Sequence, residues 1–257
     1  MIAYPSDLYC SIAALIRDLA MAPIGLRVAV VTLQAMSADD HFNLEDAYAV
    51  STPEENKALY ARWAATYDAE FVTANDYVYP IRVAEKAVEV LGQSPTLEVV
   101  DVGCGTGALG SLLSELRPTW EIDGVDISLQ MLAVAGTKVR SDGKPVYRDL
   151  LDADLTKPIQ FAKNHFDLIV SSGVFTHGHL AGRDLLAVSS AARVGGTIVV
   201  GINKQHYDNV GFAGHFAEAV SEGLISEPEL TEVDIYGPKS PHFGDKGLIA
   251  VFTRLDN

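Results

Sequence analysis

The residues best placed to do chemistry lie in a glycine-rich turn, DVGCGTG at residues 101–107, which ends an apolar run at residues 97–102. Gly103 and Gly105 allow the backbone to approach a ligand closely, and open α/β sheets bind ligands at the carboxyl ends of their strands. Asp101 stands where a pyrophosphate would otherwise lie, and a carboxylate there favours a cationic group. The turn therefore predicts a site for a ligand with a positive charge at one end.

The glycine spacing by itself also leaves a second ligand open. Gly103, Gly105 and Ala108 satisfy the loose dinucleotide pattern GxGxxG/A,. A nicotinamide cofactor is thus compatible with the spacing, although Asp101 disfavours its phosphates.

A second acid, Asp126, ends the next apolar run at residues 121–125. An acid at this position can accept hydrogen bonds from both hydroxyls of a ribose, as in nucleoside-binding proteins of this fold class. A ligand with a cationic amino acid at one end and an adenosine at the other satisfies both Asp101 and Asp126.

Two histidines, His177 and His179, follow the fourth predicted strand in the segment GVFTHGH at residues 173–179. An unperturbed imidazole titrates near neutral pH, so His177 is the first candidate for a general base or for a group that hydrogen-bonds the substrate. The alternative is a loop histidine that caps or packs. No third ligand accompanies the pair, so we predict no metal site.

Strands and helices alternate along most of the chain. Apolar runs predict strands at residues 97–102, 121–125, 146–148, 166–170, 196–202, 230–236 and 247–254. Helical patterns lie at residues 54–67 and 79–91 before the first strand and at 108–116 after it, with further ones after the second strand and between the fourth and fifth,. The last two strands are joined by a loop short enough for an antiparallel pair. The sequence therefore predicts an α/β fold, a doubly wound, mostly parallel, Rossmann-like sheet with an antiparallel C-terminal strand.

Residues 46–257 form the predicted domain, and residues 1–45 an N-terminal extension. Apolar positions after Ser6 recur at helical spacing, which is consistent with an accessory helix. The alternative is that Met36 is the true start and residues 1–35 are an over-extended reading frame. We expect a chain starting at Met36 to fold and to bind the same ligand.

Composition excludes some partners. The chain has 257 residues, 19 Lys and Arg against 34 Asp and Glu, and a formal net charge of −15. Most of its surface would repel nucleic acid and anionic membrane, which favours a small-molecule partner and leaves a protein partner open. With only two cysteines and no cluster of them, a reducing cytoplasm is the expected location,. The oligomeric state is not predicted.

Taken together, the motifs resemble those of the class I S-adenosylmethionine-dependent methyltransferases, from Leu59 to the C-terminus. The matching segments are DVGCGTG at residues 101–107, GVDIS at 124–128, RDL at 148–150 and FDLIVSSG at 166–173. YARWAATYD at residues 60–68 also resembles the opening of the small-molecule enzymes, and the whole is similar to the methyltransferase-like 27 (Williams-Beuren region 27) group. The resemblance implies a seven-stranded Rossmann-like sheet and S-adenosyl-L-methionine as cofactor.

The resemblance also assigns roles to individual residues. It implies that the methionine end is held by Asp101, Gly103 and Gly105 beneath Tyr67, the ribose by Asp126, the adenine faces by Ile127 and Met131, and the adenine amino group by Asp149. Asp152 is the alternative to Asp149. Leu150 and Ser171 belong to the matching segments and are further candidate contacts.

The implied activity is direct displacement of the methyl group from S-adenosylmethionine to an acceptor, most simply a small molecule. This reaction depends chiefly on alignment, so a base such as His177 is needed only for an acceptor that carries a proton. The alternatives are a nicotinamide-dependent oxidoreductase and a non-catalytic S-adenosylmethionine-binding protein. We expect the helix before the first motif and residues 203–207 to shape the acceptor pocket.

Overall fold

A seven-stranded sheet forms the centre of the computed structural model, which describes residues 50, 52–92, 94–158, 163–176 and 180–256. Its strands are β1 (Glu98–Val102), β2 (Glu121–Asp126), β3 (Asp149–Asp152), β4 (Phe166–Phe175), β5 (Ala192–Asn203), β6 (Glu229–Asp234) and β7 (Lys246–Thr253). Their order is β3-β2-β1-β4-β5-β7-β6. β7 runs antiparallel to both neighbours, and the other pairs are parallel. The predicted fold class is confirmed.

Helices cover the sheet. They are α1 (Pro53–Trp63), α2 (Tyr79–Leu91), α3 (Ala108–Leu116), α4 (Leu129–Ala135), α5 (Gly182–Ser189), α6 (Lys204–Asn209) and α7 (Phe212–Ser221). Adjacent residues of β1 enter different apolar clusters: Val99 packs with Val83 of α2, and Val100 with Leu185 of α5. Because successive side chains of a strand point to opposite faces, both faces of the sheet are buried.

The segment before the sheet differs from the single helix predicted over residues 54–67. α1 begins with a capping box between Thr52 and Glu55 and ends at Trp63, and a π-helix follows at Asp68–Thr73. Tyr67 and Tyr77 both pack against Phe71 of the π-helix in tilted pairs, with ring centroids 4.9 and 4.8 Å apart. Local spacing does not encode these tertiary contacts.

The third strand was predicted at the wrong residues. Val146 and Tyr147, taken as strand, are buried side chains of the segment that leads into β3, whereas β3 is Asp149–Asp152. β3 is the edge strand and most of its side chains are exposed, so it has no apolar run to detect,. β4 and β5 are longer than predicted, since their ends carry polar residues and glycines.

The strand directions gather the carboxyl ends of β1, β2, β3 and β4 at one edge of the sheet. The predicted extension at residues 1–45, including Met36, lies outside the described residues. No helix in the described part of the chain is long and apolar enough to cross a membrane.

Candidate functional site

A cavity of about 300 Å³ opens at this carboxyl edge. Its floor is the turn after β1, and its sides are the ends of β2 and β4 and the segment after β3. The remaining walls come from α1, the π-helix, the start of α2, and the start of α5 with the residues just before it. Seven of the residues predicted from sequence line it: Tyr67, Asp101, Gly103, Gly105, Asp126, Ile127 and Met131. The sequence therefore located the right edge of the sheet.

Two positions in the turn favour glycine for different structural reasons. Gly103 has φ +67°, and a Cβ there would overlap Val174 at the end of β4. Gly105 has φ +53°, but a Cβ there would meet nothing within 4 Å. Gly103 thus permits close packing of β1 against β4, whereas Gly105 leaves a cradle in which a ligand can lie against the backbone.

Asp101 is 1% exposed, and its two carboxylate oxygens have different surroundings. Oδ2 accepts hydrogen bonds from the Gly110 amide at 3.1 Å and the Tyr147 hydroxyl at 2.8 Å. Oδ1 is buried and accepts none from the described residues. Burial raises the pKa of Asp101 to about 7 against the opposing effect of these two bonds. Oδ1 is therefore the oxygen left for a cationic ligand group.

Asp126 ends β2 and is held by the backbone on both sides. Its Oδ2 accepts from the Gly105 amide at 2.9 Å and its Oδ1 from the Ser128 amide at 2.8 Å. Burial raises the pKa of Asp126, and these bonds oppose the rise. A carboxylate oxygen has room for a second hydrogen bond, so both oxygens can still accept from a diol.

An apolar side wall follows Asp126. Ile127 and Met131 line the cavity, and Met131 is almost fully buried. Ser128 caps α4, its hydroxyl accepting from the Met131 amide at 3.3 Å, which fixes Met131 against the wall. The arrangement suits a flat aromatic ring lying beside the Asp126 carboxylate.

Three predicted residues lie outside the cavity lining. Asp149 is an exposed side chain at the start of β3, and Leu150 packs in the core. The buried Ser171 hydroxyl donates to the Val102 carbonyl at 2.7 Å, which ties β4 to β1. Asp152, the alternative to Asp149, is exposed and lies 3.8 Å from Lys57. Ligand contacts by these side chains stay predictions.

Residues one step further along the chain line the cavity instead. They are Ala153, Asp154, Leu155 and Thr156 after β3, and Ser172, Gly173 and Val174 at the end of β4. Because β3 starts at Asp149, its carboxyl end and the acid next to the cavity fall later than the sequence motif suggested. The Ser172 hydroxyl is buried and has no hydrogen-bond partner among the described residues.

Asp154 is the acid that sequence analysis missed. Its Oδ1 accepts from the Thr156 amide at 3.0 Å and hydroxyl at 2.6 Å, and its Oδ2 lies 2.8 Å from the Lys157 ammonium. Burial works to raise the pKa of Asp154, but the bonds from Lys157 and Thr156 outweigh it and hold the pKa below its ordinary value. Asp154 is thus an ionised carboxylate on the β3 side of the cavity.

The wall opposite the sheet is aromatic. Tyr60, Tyr67 and Tyr77 line the cavity, with the rings of Tyr60 and Tyr67 5.9 Å apart. Gly173 has φ +86°, and a Cβ there would lie 2.7 Å from the Tyr77 hydroxyl, so Tyr77 reaches across to the end of β4. Trp63 of α1 is buried beside Leu59 and packs there rather than lining the cavity.

His177 and His179 lie outside the described residues, so the role of His177 stays a prediction. The nearest described residues on either side that line the cavity are Val174 and Leu180. The side chain of His206, in α6, is buried, and its Nε2 lies 2.9 Å from the Leu180 carbonyl. α6 itself does not line the cavity, contrary to the expectation that residues 203–207 shape the pocket directly.

Comparison with protein families matches residues 99–195 to a model described as a methyltransferase domain. The release factor glutamine methyltransferase of Bacillus subtilis is 32% identical over 114 residues, which is 41% of this chain and 39% of that protein. The enzyme of the same name from Enterococcus faecalis is 30% identical over 112 residues, 42% of this chain and 39% of that protein. The chain thus spans about two fifths of the length of these curated relatives.

Solved structures share the fold at low identity. An S-adenosylmethionine-dependent methyltransferase from Clostridium acetobutylicum is similar at a TM-score of 0.52 with 18% identity, covering 77% of this chain and 99% of that one. The [4+2]-cyclase SpnF is similar at a TM-score of 0.50 with 15% identity, covering 68% and 82%. These likenesses concern the fold. Residues 99–195, which carry the β1 turn, Asp126 and β4, therefore match a methyltransferase-domain model, and the fold is one that a solved S-adenosylmethionine-dependent methyltransferase shares.

Proposed function

We propose that this chain transfers a methyl group from S-adenosylmethionine to a small-molecule acceptor. The observation that carries the proposal is a pair of carboxylates, the buried Asp101 and the partly buried Asp126, near the ends of neighbouring parallel strands on either side of an open glycine cradle. A dinucleotide would bring phosphates against the buried acids, at a high electrostatic cost. A ligand with an ammonium group at one end and a ribose near the other could pair the ammonium with Asp101 and donate its ribose hydroxyls to Asp126.

The lining fits this cofactor at each of its parts. Asp101 Oδ1 would accept from the ammonium group, and the Gly105 cradle would take the chain between the amino acid and the sulfur. Asp126 would accept from the ribose hydroxyls, with Ile127 and Met131 against the adenine ring. The matching methyltransferase-domain segment, residues 99–195, supplies most of these groups and supports the assignment.

When bound, the cofactor supplies a methyl group on a positively charged sulfur. The carbon–sulfur bond breaks as the bond from the acceptor to the methyl carbon forms, and S-adenosylhomocysteine is released. The chain's own task is to hold both partners in line, which can provide much of the rate acceleration. An acceptor proton, where there is one, passes to water or to a base such as His177.

Two features favour a small acceptor. The aromatic wall of Tyr60, Tyr67 and Tyr77 lies across the cavity from the sheet, and the chain carries a net charge of −15. A protein acceptor is the second candidate, because the names of the B. subtilis and E. faecalis relatives specify a protein substrate. The third candidate is cofactor binding without methyl transfer, because one fold can carry different activities.

Isothermal titration calorimetry with S-adenosylhomocysteine, NAD and adenosine tests the cofactor assignment. We expect S-adenosylhomocysteine to bind, NAD not to bind, and Asp126→Ala to weaken S-adenosylhomocysteine by about ten- to a hundredfold, the effect of losing hydrogen bonds to a charged group. Asp142→Ala, at an exposed acid that is absent from the lining, is the matched control. Binding of NAD, or unchanged affinity in a folded Asp126→Ala variant, would overturn the assignment.

Activity is tested with radiolabelled S-adenosylmethionine and two acceptor panels, one of small molecules and one of proteins including release factors. Label transferred to a small molecule supports the proposal, and label found only on protein favours the second candidate. Tight binding with no transfer to either panel would indicate a cofactor-binding protein. The placement near the methyltransferase-like 27 group and the cytoplasmic location stay predictions.

A further inference from the structure

Two glycines at the start of α3 and one in β2 surround a buried tyrosine, Tyr147. A Cβ at Gly107 or at Gly124 would lie 3.0 Å from ring carbons of Tyr147, and a Cβ at Gly110 would overlap its hydroxyl. The side chain is buried in the core on the α3 side of the sheet. Each glycine therefore lacks the atom that would crowd the ring, and together the three positions form a slot in which the Tyr147 side chain lies.

The slot places the Tyr147 hydroxyl beside the Asp101 carboxylate. The Tyr147 Oη donates to Asp101 Oδ2 at 2.8 Å, and the Gly110 amide donates to the same oxygen at 3.1 Å. The other oxygen, Oδ1, has no hydrogen-bond partner in the described part of the chain, and Asp101 lines the cavity. Tyr147 is itself absent from the cavity lining.

We propose that Tyr147 is a positioning residue of the candidate site. Its hydroxyl holds Asp101 Oδ2 against the slot, so that the carboxyl group ionises more readily and presents Oδ1 to the ammonium group of the ligand. This inference rests on the proposed function for the identity of the ligand, but not for the contact between Tyr147 and Asp101.

Tyr147 matters for Asp101 because few neighbouring groups stabilise the negative charge of this buried carboxylate. Two other titratable side chains act on Asp101, namely Cys104 in the turn and Asp126 at the end of β2, and neither supplies a positive charge. Burial and the Asp126 charge raise the pKa of Asp101. The hydrogen bond from Tyr147 is the largest of the interactions that lower it. A hydrogen bond to the ionised form favours ionisation, so loss of the Tyr147 hydroxyl should make Asp101 harder to ionise.

The first test needs no ligand. The ¹³C carboxyl signal of Asp101, assigned by its absence in Asp101→Asn, is titrated by NMR in the wild type and in Tyr147→Phe, which keeps the ring in the slot. We expect the titration midpoint to rise by about one pH unit or more in Tyr147→Phe. An unchanged midpoint would overturn the inference, whether or not the protein binds S-adenosylhomocysteine.

The second test measures ligand binding by calorimetry at about pH 6 and about pH 8. We expect Tyr147→Phe to bind S-adenosylhomocysteine about tenfold more weakly at the lower pH, with a smaller difference at the higher pH, and to bind adenosine as the wild type does. Equal losses for both ligands at both pH values would indicate a merely structural role. Failure of the wild type to bind S-adenosylhomocysteine would remove the proposed function and leave the NMR result standing.

A second variant perturbs the contact while leaving Tyr147 in place. Gly110→Ala puts a methyl group where the Tyr147 hydroxyl lies, so we expect it to raise the Asp101 midpoint in the same direction. Gly214→Ala is the matched control, because Gly214 is also helical and a Cβ there meets nothing within 4 Å. In the Asp101→Asn background, Tyr147→Phe should cause no further loss of S-adenosylhomocysteine affinity. A further loss there would contradict action through Asp101.

Discussion

The hydroxyl of Thr106, in the turn after β1, donates a 2.5 Å hydrogen bond to Asp68 at the start of the π-helix, 38 residues earlier in the chain. The other oxygen of Asp68 lies 2.5 Å from the ammonium group of Lys138. The aromatic wall is thereby fastened to the floor of the cavity and to the segment after α4. A ligand lying in the glycine cradle would be enclosed between the two structures that this bond joins.

Removing the Asp68 side chain should make the aromatic wall more mobile without affecting the sheet. We expect Asp68→Ala to raise amide hydrogen-exchange rates about fivefold over residues 68–74, since a half-exposed bond of this kind contributes about 1 kcal/mol. Exchange in β1 should not change. Asp142→Ala, which removes an exposed ion pair with Arg140, is the control. Equal exchange rates over residues 68–74 in Asp68→Ala and wild type would show that Asp68 does not hold the wall.

The raised pKa of Asp101 has a consequence for stability. The folded protein binds a proton at Asp101 up to about pH 7, whereas an ordinary Asp releases it near 3.8. Between these values the folded state carries more protons than the unfolded state, so the free energy of unfolding falls as the pH rises. We expect Asp101→Asn, which stays neutral, to be more stable than the wild type at about pH 8, by on the order of 1 to 2 kcal/mol.

Urea denaturation of wild type and Asp101→Asn at about pH 5, 6, 7 and 8 measures this difference. The two proteins should converge toward the acid end, where Asp101 is protonated. The same variant should lose affinity for S-adenosylhomocysteine, because it lacks the negative charge. A difference in unfolding free energy that does not depend on pH would show that Asp101 does not titrate in this range.

Asp149 and Asp154 give a test of the adenosine side of the cavity. Only Asp154 lines the cavity, while Asp149 is exposed at the start of β3. We expect Asp154→Asn to weaken adenosine binding several-fold, about 1 kcal/mol, and Asp149→Asn to leave it unchanged. Calorimetry on the two variants decides the matter. The opposite result would restore the role that the sequence motif gives to Asp149.

His177 can be tested once an acceptor is found. Displacement at a methyl group proceeds by alignment, so we expect His177→Ala to raise the KM for the acceptor and to change kcat little. A fall in kcat of about 10²- to 10⁴-fold, with a wild-type rate that declines below about pH 6.5, would instead identify His177 as a general base. Steady-state kinetics of both proteins across pH distinguishes the two roles.

Local sequence patterns were sufficient for the fold and for several residues that line the candidate cavity. The alternation of buried strands and amphipathic helices predicts a doubly wound sheet, and α2 and α3 begin and end where their periodicity indicates. Asp101 and Asp126 were identified because each ends an apolar run next to a turn. Such features are legible because strand ends, turns and their neighbouring residues are fixed by interactions between positions close in the chain.

Contacts between distant segments were decided only by the tertiary structure. Tyr147 reaches Asp101 across 46 residues, and the sequence showed it merely as an apolar position in a strand assigned to the wrong residues. The exposed edge strand β3 hid the register that brings Asp154 to the cavity, and the tie from Asp68 to Thr106 left no pattern at all. Such contacts depend on strand register and on which side chains a packed core leaves room for. Those quantities are set when the elements assemble, and neither local propensity nor periodicity records them.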